Sequence, residues 1–185
     1  MLQLRLFFYG LAFFHVSEFV LAAAYSGRLS FASCLISPGY CLMLGLTMAE
    51  NLWETSLENS WKAWWPCWPG ILMIVCGEAL RKSAMVTAGA NFSHMICREA
   101  VHGRELVTHG LYRVMRHPGY LGWLIWTIGM QLLLANPLCL VIALLVGWRF
   151  LQLRVRDEDA ALSHIFGGDY DSYRSRTLSG LPGIV

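Results

Sequence analysis

Apolar residues fall into five runs along this chain, at about 4–25, 35–53, 67–86, 118–135 and 137–153. A helix needs roughly 20 apolar residues to cross hydrocarbon, with a range of about 17–25. Backbone in lipid must satisfy its own N–H and C=O groups, so each run is expected to be helical. Asn136-Pro137 divides the last long run. Proline has no N–H for the preceding turn and keeps its predecessor out of the helical region. The break predicts two short helices joined by a tight turn, a C-terminal hairpin. From 87 to 117 the pattern becomes polar, too polar to span and too long for a simple turn. Glycines at 89, 103 and 110 favour irregular backbone there, able to wrap a ligand. Beyond 154 helical spacing resumes. Leu162, Ile165, Phe166, Tyr170 and Tyr173 form an apolar stripe, broken at Gly167-Gly168 and suited to lying on a membrane surface.

Composition strengthens the membrane reading. Of 185 residues, 56% are hydrophobic and 14% charged, with a mean hydropathy of +0.49. Soluble domains carry about 25% charge, and a short soluble chain cannot hide so much apolar surface. The fold class expected is an all-α integral membrane protein, one domain over 1–185 with about five transmembrane helices. A net charge of +2 argues against a nucleic-acid partner. The six cysteines (34, 41, 67, 76, 97 and 139) form no C-x-x-C, and the six histidines form no H-x-x-x-H. The cysteines read as small buried hydrophobes, and no metal site is expected. Residues 6–25 lack a small-residue cleavage site and contain His15 and Glu18, so they read as a retained span rather than a signal peptide.

Basic residues set an orientation. With 87–117 on the cytosolic side, twelve of the fourteen fall there, including Arg28, and only Arg5 and Lys62 fall opposite. The positive-inside bias then puts the N-terminus out and the C-terminus in. Trp53, Trp61, Trp64, Trp65 and Trp68 surround the opposite loop, 54–66, as an interfacial aromatic belt. Ionisable residues within the spans are costly unless paired. His15 and Glu18 share a helix face, Glu50 and Asn51 sit near a span end, and Glu78 and Arg81 are spaced i,i+3. They read first as structural pairs between helices.

Candidate chemistry gathers in two places. In "RVMRHPGYLGW", Pro118 suits a first helical turn. The free N–H groups of that turn, with Arg116, make an anion-friendly corner. Arg154 and Glu158 are spaced i,i+4 on a helix continuing past the last span. A solvated ion pair is the plain reading. A hairpin of the last two helices would instead bring both beside the Arg116–Tyr120 corner, so that one cation and one carboxylate face the same cavity.

"GLYRVMRHPGYLGW" followed by "RVRDEDAALSHIFGGDYDSY" resembles the isoprenylcysteine carboxyl methyltransferase family. "FHVSEF", "LENSWKAWWP", "GEALRKSAMVTAGANFSHMI" and "GLPGI" resemble its eukaryotic branch, so the likeness covers nearly the whole chain. The resemblance implies methylation of the C-terminal carboxylate of a prenylated (farnesyl or geranylgeranyl) cysteine in CaaX-type proteins. It implies S-adenosylmethionine as donor, S-adenosylhomocysteine as product, and a multi-pass protein of the endoplasmic reticulum membrane with its active site facing the cytoplasm among membrane lipids. By resemblance, 87–117 is a cofactor-covering loop and 154–185 a cytosolic helix and tail. The cofactor would contact Cys97, Arg104, Glu105, Leu106, Val107, Tyr112, His117, Pro118, Gly119, Tyr120 and Glu158, and Arg154 would hold the substrate carboxylate. Cys97 stands where the family commonly has glutamine, and Arg104 where it commonly has histidine; His102 is the nearest replacement. The family often has further N-terminal spans, which makes this chain a compact or incomplete member. Phospholipid amine methyltransferases share the R-H-P-x-Y-x-G piece, and a non-catalytic protein holding anionic lipid on its basic face is the remaining alternative.

Overall fold

The computed structural model describes residues 2–26, 35–57, 62, 64–98 and 103–184. Arg28, Cys34, Trp61 and His102 lie outside them. The described residues form helices α1 (Leu2–Ser26), α2 (Pro38–Ser56), α3 (Trp68–Ala88), α4 (Pro118–Leu134), α5 (Pro137–Phe166) and α6 (Gly168–Arg176), with 3-10 turns at Gly89–Asn91 and Gly110–Arg113. No strand occurs among them; Met115 and Leu178 form an isolated bridge. The first turns of α2, α3, α4 and α5 each contain proline, where its missing N–H costs nothing. Ser37 caps α2 by accepting from the Tyr40 N–H at 3.2 Å.

The helices cover the apolar runs and extend one of them. α5 continues unbroken to Phe166, about 45 Å at 1.5 Å per residue. The segments Leu2–Tyr25 and Pro137–Phe166 are long and apolar enough to cross a membrane. Phe8, Phe13 and Val16 on α1, and Leu138, Val141 and Leu145 on α5, point outward, as lipid-facing side chains do.

Helices α3 and α4 pack with backbones in contact. A Cβ on Gly77 would lie 2.5 Å from the Trp126 nitrogen, and one on Gly122 2.7 Å from the Arg81 nitrogen. Gly70 and Gly129 repeat the arrangement two turns along, against Leu133 and Ile74. Lipid tails are as apolar as leucine, so close van der Waals contact is what holds such helices together. α1 lies across this pair, with Phe14 stacked on Trp126 at 4.2 Å.

Polar contacts secure both ends of the bundle. Beside the turn at Ala135-Asn136, the Glu50 carboxylate accepts from the N–H groups of Leu138 and Cys139, each at 2.7 Å. It thereby caps α5, where the helix dipole favours an anion. Lys62 bonds to Asn136 at 3.1 Å and pairs with Glu54 at 2.6 Å. Trp65 donates to the Leu132 carbonyl at 2.8 Å, while Trp53, Trp64 and Trp68 are exposed.

At the opposite end, Arg81 places a fork on Glu18. Nε and one terminal nitrogen each donate at 2.8 Å, and the other terminal nitrogen donates to the Gly119 carbonyl at 3.0 Å. Lys82 and His94 complete the shell around Glu18 at 2.5 and 2.7 Å. Arg81 thus pairs between helices, as expected, and not with Glu78 at i,i+3. Arg81 reaches across to α1, and the neighbour of Glu78 is Lys82 at 3.4 Å. Two-point geometry at a carboxylate outweighs a single contact along the helix. His15, on the same helix as Glu18, bonds instead to Tyr40 of α2 at 2.5 Å.

Candidate active site

One cavity of about 650 Å3 runs from the polar end of the bundle down between α1, α2, α4 and α5. Its upper wall comes from 91–95, 104–107, Tyr112 and the start of α4. Its lower wall is almost wholly apolar, from Leu11, Met43, Trp123, Trp126, Val146 and Phe150. α2 is tied to α5 by Glu50 at the turn end. Higher up, Tyr40, Met43, Val146 and Phe150 line the cavity between those two helices.

The boundary between the two parts is built on α5. Arg154 donates from Nε to the Tyr120 hydroxyl at 3.0 Å and from a terminal nitrogen to the His94 carbonyl. Four residues on, Glu158 neighbours both the Tyr120 hydroxyl and His117. Arg154 and Glu158 thus meet through Tyr120, with both facing the cavity. One carboxylate oxygen of Glu158 is buried and accepts no hydrogen bond among the described residues.

His117 is the pivot behind this wall. Its Nε2 lies 2.8 Å from Asp159, its Nδ1 lies 3.5 Å from Glu158, and its ring stacks on Tyr120. Burial alone would push the imidazole pKa down. The hydrogen bonds and charges of Asp159 and Glu158 outweigh burial and hold it up at about 9. His117 is therefore an imidazolium at neutral pH, its Nε2 donating to Asp159 and its Nδ1 charge-paired with a Glu158 oxygen 3.5 Å away. Tyr112 is pushed up from its ordinary value by burial and then by the Glu158 charge, so it stays a neutral phenol.

The C-terminal tail closes the back of the site. Arg116 is buried and donates to the Thr177 carbonyl at 2.5 Å and the Arg174 carbonyl at 3.2 Å. The N–H groups of Arg116 and His117 reach the Leu178 and Ser179 carbonyls at 2.8 and 3.0 Å. At the corner expected to favour an anion, one terminal nitrogen of Arg116 is taken up by the Arg174 and Thr177 carbonyls, and the other lies 3.5 Å from the Asp159 carboxylate. Tyr170 and Tyr173 are buried too, donating to Asp159 and to the Tyr112 carbonyl. Leu162 and Phe166 line the cavity. The tail stripe packs inward rather than on a membrane surface.

A family model described as the isoprenylcysteine carboxyl methyltransferase (ICMT) family matches residues 70–164. A probable protein-S-isoprenylcysteine O-methyltransferase of Oryza sativa subsp. japonica is 44% identical, over 98% of this chain and 97% of its own. This chain belongs to the ICMT family. The Homo sapiens protein-S-isoprenylcysteine O-methyltransferase is 40% identical, over 94% of this chain and 63% of its own. A solved structure of the eukaryotic intramembrane Ras methyltransferase ICMT superposes with a TM-score of 0.91 at 37% identity, covering 96% of this chain and 65% of that one. The chain thus has the all-helical intramembrane ICMT fold and belongs to a methyltransferase class.

Arg104, Glu105, Leu106, Val107, Tyr112, His117, Gly119, Tyr120, Arg154 and Glu158 all line this cavity of the ICMT-family chain. Pro118 is fully buried at the start of α4, and neither it nor Cys97 is part of the wall. Sequence reasoning passed over Asn91 and His94. Asn91 accepts from the Glu105 N–H at 2.9 Å, and its carbonyl lies 3.5 Å from Arg104, fastening the 103–107 segment to the end of α3. His94 joins Glu18 to Arg154. The glycine at 89 was the available signal; its positive φ marks where α3 stops and these polar residues turn inward. Asp159 was equally passed over, being one acid among three consecutive ones.

Proposed function

We propose that this chain transfers a methyl group from S-adenosylmethionine to the C-terminal carboxylate of a prenylated cysteine, giving a methyl ester. The observation carrying this is a cavity polar at one end and hydrocarbon-lined at the other, with Arg154 at the junction. The amphiphilic substrate has the same two parts in the same order.

The residues present fit the donor. The Glu158 carboxylate, whose buried oxygen has only the 3.5 Å charge contact with His117 and no hydrogen bond, suits a cationic ammonium. Leu106, Val107, Tyr112 and Tyr120 offer apolar and aromatic surface to an adenine. When bound, S-adenosylmethionine supplies a methyl on a sulfonium, open to in-line displacement. Arg154 holds the carboxylate by paired hydrogen bonds and excludes its water. A C-terminal carboxylate has a pKa of about 3.3–3.7 and needs no base to act as nucleophile at neutral pH. Alignment of the reactants supplies about 7–11 kcal/mol of the barrier. Glu105, Arg104 and Gly119 shape the polar rim, and His117 holds Glu158 in place. The prenyl chain occupies the lower cavity, reached from the bilayer between α2 and α5.

α1 to α5 would each span, with the 87–117 loop and the tail on the cytosolic side of the endoplasmic reticulum membrane. The substrate is then a CaaX-type protein after prenylation and trimming. Membranes holding the protein are incubated with methyl-labelled S-adenosylmethionine and either a farnesylcysteine analogue or phosphatidylethanolamine. Base-labile volatile label with the first is the expected result. Label in the lipid instead makes the chain a phospholipid methyltransferase, and no label in either sinks both enzyme readings.

A further inference from the structure

Only one edge of the Arg154 guanidinium is open. Nε donates to the Tyr120 hydroxyl at 3.0 Å, and the terminal nitrogen beside it donates to the His94 carbonyl. Arg81 grips Glu18 with that same edge, through Nε and one terminal nitrogen. On Arg154 the edge is therefore spoken for. A guanidinium has five N–H donors. Those left on Arg154 sit on its two terminal nitrogens and make no hydrogen bond among the described residues. A carboxylate must meet this arginine end-on, and the two acceptors behind it set the direction.

Both acceptors lead back to one buried node. The His94 ring lies 2.7 Å from Glu18 through Nε2, and its side chain is only 6% exposed. Glu18 is fully buried and sits in the fork of Arg81. The other terminal nitrogen of Arg81 donates at 3.0 Å to the carbonyl of Gly119, the residue next to Tyr120. Arg154, His94, Glu18, Arg81 and the Gly119-Tyr120 backbone thus close a ring of polar contacts.

The two acceptors differ in how the fold holds them. Tyr120 stands in the first turn of α4, with its ring stacked on His117. The His94 carbonyl belongs to irregular backbone beyond the turn at Gly89–Asn91. No helix fixes it there, so its place depends on side chains. Phe92 lies with its ring centre 5.8 Å from the Arg81 Cζ, and His94 reaches Glu18. Resting on the function proposed above, we infer that His94 is a positioning residue for methyl transfer: anchored on Glu18 by its ring, it sets through its own carbonyl the direction in which Arg154 meets the substrate carboxylate.

The test measures kcat with methyl-labelled S-adenosylmethionine and a farnesylcysteine analogue, and S-adenosylhomocysteine binding by calorimetry. His94→Ala should lower kcat by roughly 10- to 100-fold, up to the cost of about 1 Å of misalignment. Binding of S-adenosylhomocysteine should stay near wild type. His94→Gln should recover most of the activity, because its amide nitrogen lies as many bonds from Cα as the ring Nε2 and can still donate to Glu18. His94→Asn is shorter and should not. If His94→Ala fails to fold, this pair decides. In an Arg154→Ala background, His94→Ala should cost almost nothing further, since a residue acting through Arg154 has nothing left to aim. An equal loss in both backgrounds, or a glutamine variant no better than the asparagine one, makes His94 a packing residue and overturns the inference. Loss of S-adenosylhomocysteine affinity in step with kcat overturns it too. Wild-type activity that His94→Ala leaves intact overturns the positioning role alone, whereas wild type that does not esterify the analogue overturns the methyltransferase reading itself.

Discussion

Arg154 and Tyr120 are joined across the α4–α5 packing by a 3.0 Å hydrogen bond from guanidinium Nε to phenol oxygen. The same guanidinium reaches the His94 carbonyl from a terminal nitrogen, and its Cζ stands 5.8 Å from the Tyr120 ring centre. The fork is thus aimed before any substrate arrives, at the level where polar wall gives way to hydrocarbon wall. A preorganised cation costs little reorganisation at the moment of reaction.

Arg154→Ala should lower kcat for methyl-ester formation by roughly 100-fold or more, as removal of one preorganised donor does. Binding of S-adenosylhomocysteine, followed by calorimetry, should stay near wild type. Lost cofactor binding with intact substrate affinity would reverse the role assigned to Arg154.

Glu158→Gln should weaken cofactor binding by about tenfold, the scale of one charge-assisted hydrogen bond. Titration with S-adenosylhomocysteine measures it directly. An unchanged dissociation constant would remove Glu158 from the pocket.

Glu18→Ala leaves the buried Arg81 charge without its carboxylate and Lys82 with Glu78 alone. Breaking one side of a buried ion cluster costs about 3–5 kcal/mol. A clearly lower Tm in detergent is expected, along with lost activity, since Glu18 also holds the His94 that receives Arg154.

Two glycine substitutions should differ sharply. Gly77→Ala drives a Cβ to 2.5 Å from the Trp126 backbone nitrogen and must part α3 from α4, at a cost of about 1–3 kcal/mol or more. Gly45→Ala in α2 meets nothing within 4 Å and should gain about 0.5–1 kcal/mol of helix stability. Thermal unfolding of the two variants side by side checks both signs.

Stability should fall with rising pH through the titration of His117. Its pKa rises from an ordinary 6.5 to about 9 in the fold, so folding favours the protonated ring. That contribution is fully present below pH 6.5 and is lost as pH climbs through 9. His117→Gln should flatten the Tm profile over that window. An identical slope in the variant would assign the titration to another group.

Much of this architecture was legible in the pattern of side chains. The apolar runs marked the helices, and Asn136-Pro137 marked the turn between α4 and α5, because hydrocarbon length and proline stereochemistry act locally. The R-H-P-G-Y stretch and the Arg154–Glu158 spacing named most of the cavity's polar wall in advance. Cys97 was named with them, yet it stands off the wall, since a departure from a family pattern does not say where the backbone goes.

Other features depended on which helices met. That Arg81 forks onto Glu18 rather than Glu78, that Arg116 serves the tail, and that Tyr170 and Tyr173 turn inward all depend on partners dozens of residues away or hidden within an even stripe of apolar positions. The close approach of Gly77 and Gly122 is of the same kind, because a missing side chain carries no sign of what will fill its place. The sequence by itself determined a helical membrane protein with cations gathered at one face and a methyltransferase's residues among them. Only tertiary packing decided that these residues share one cavity and that Arg154 is held between Tyr120 and His94. Burial and periodicity are properties of a segment, whereas a cavity belongs to the helices that fail to fill it.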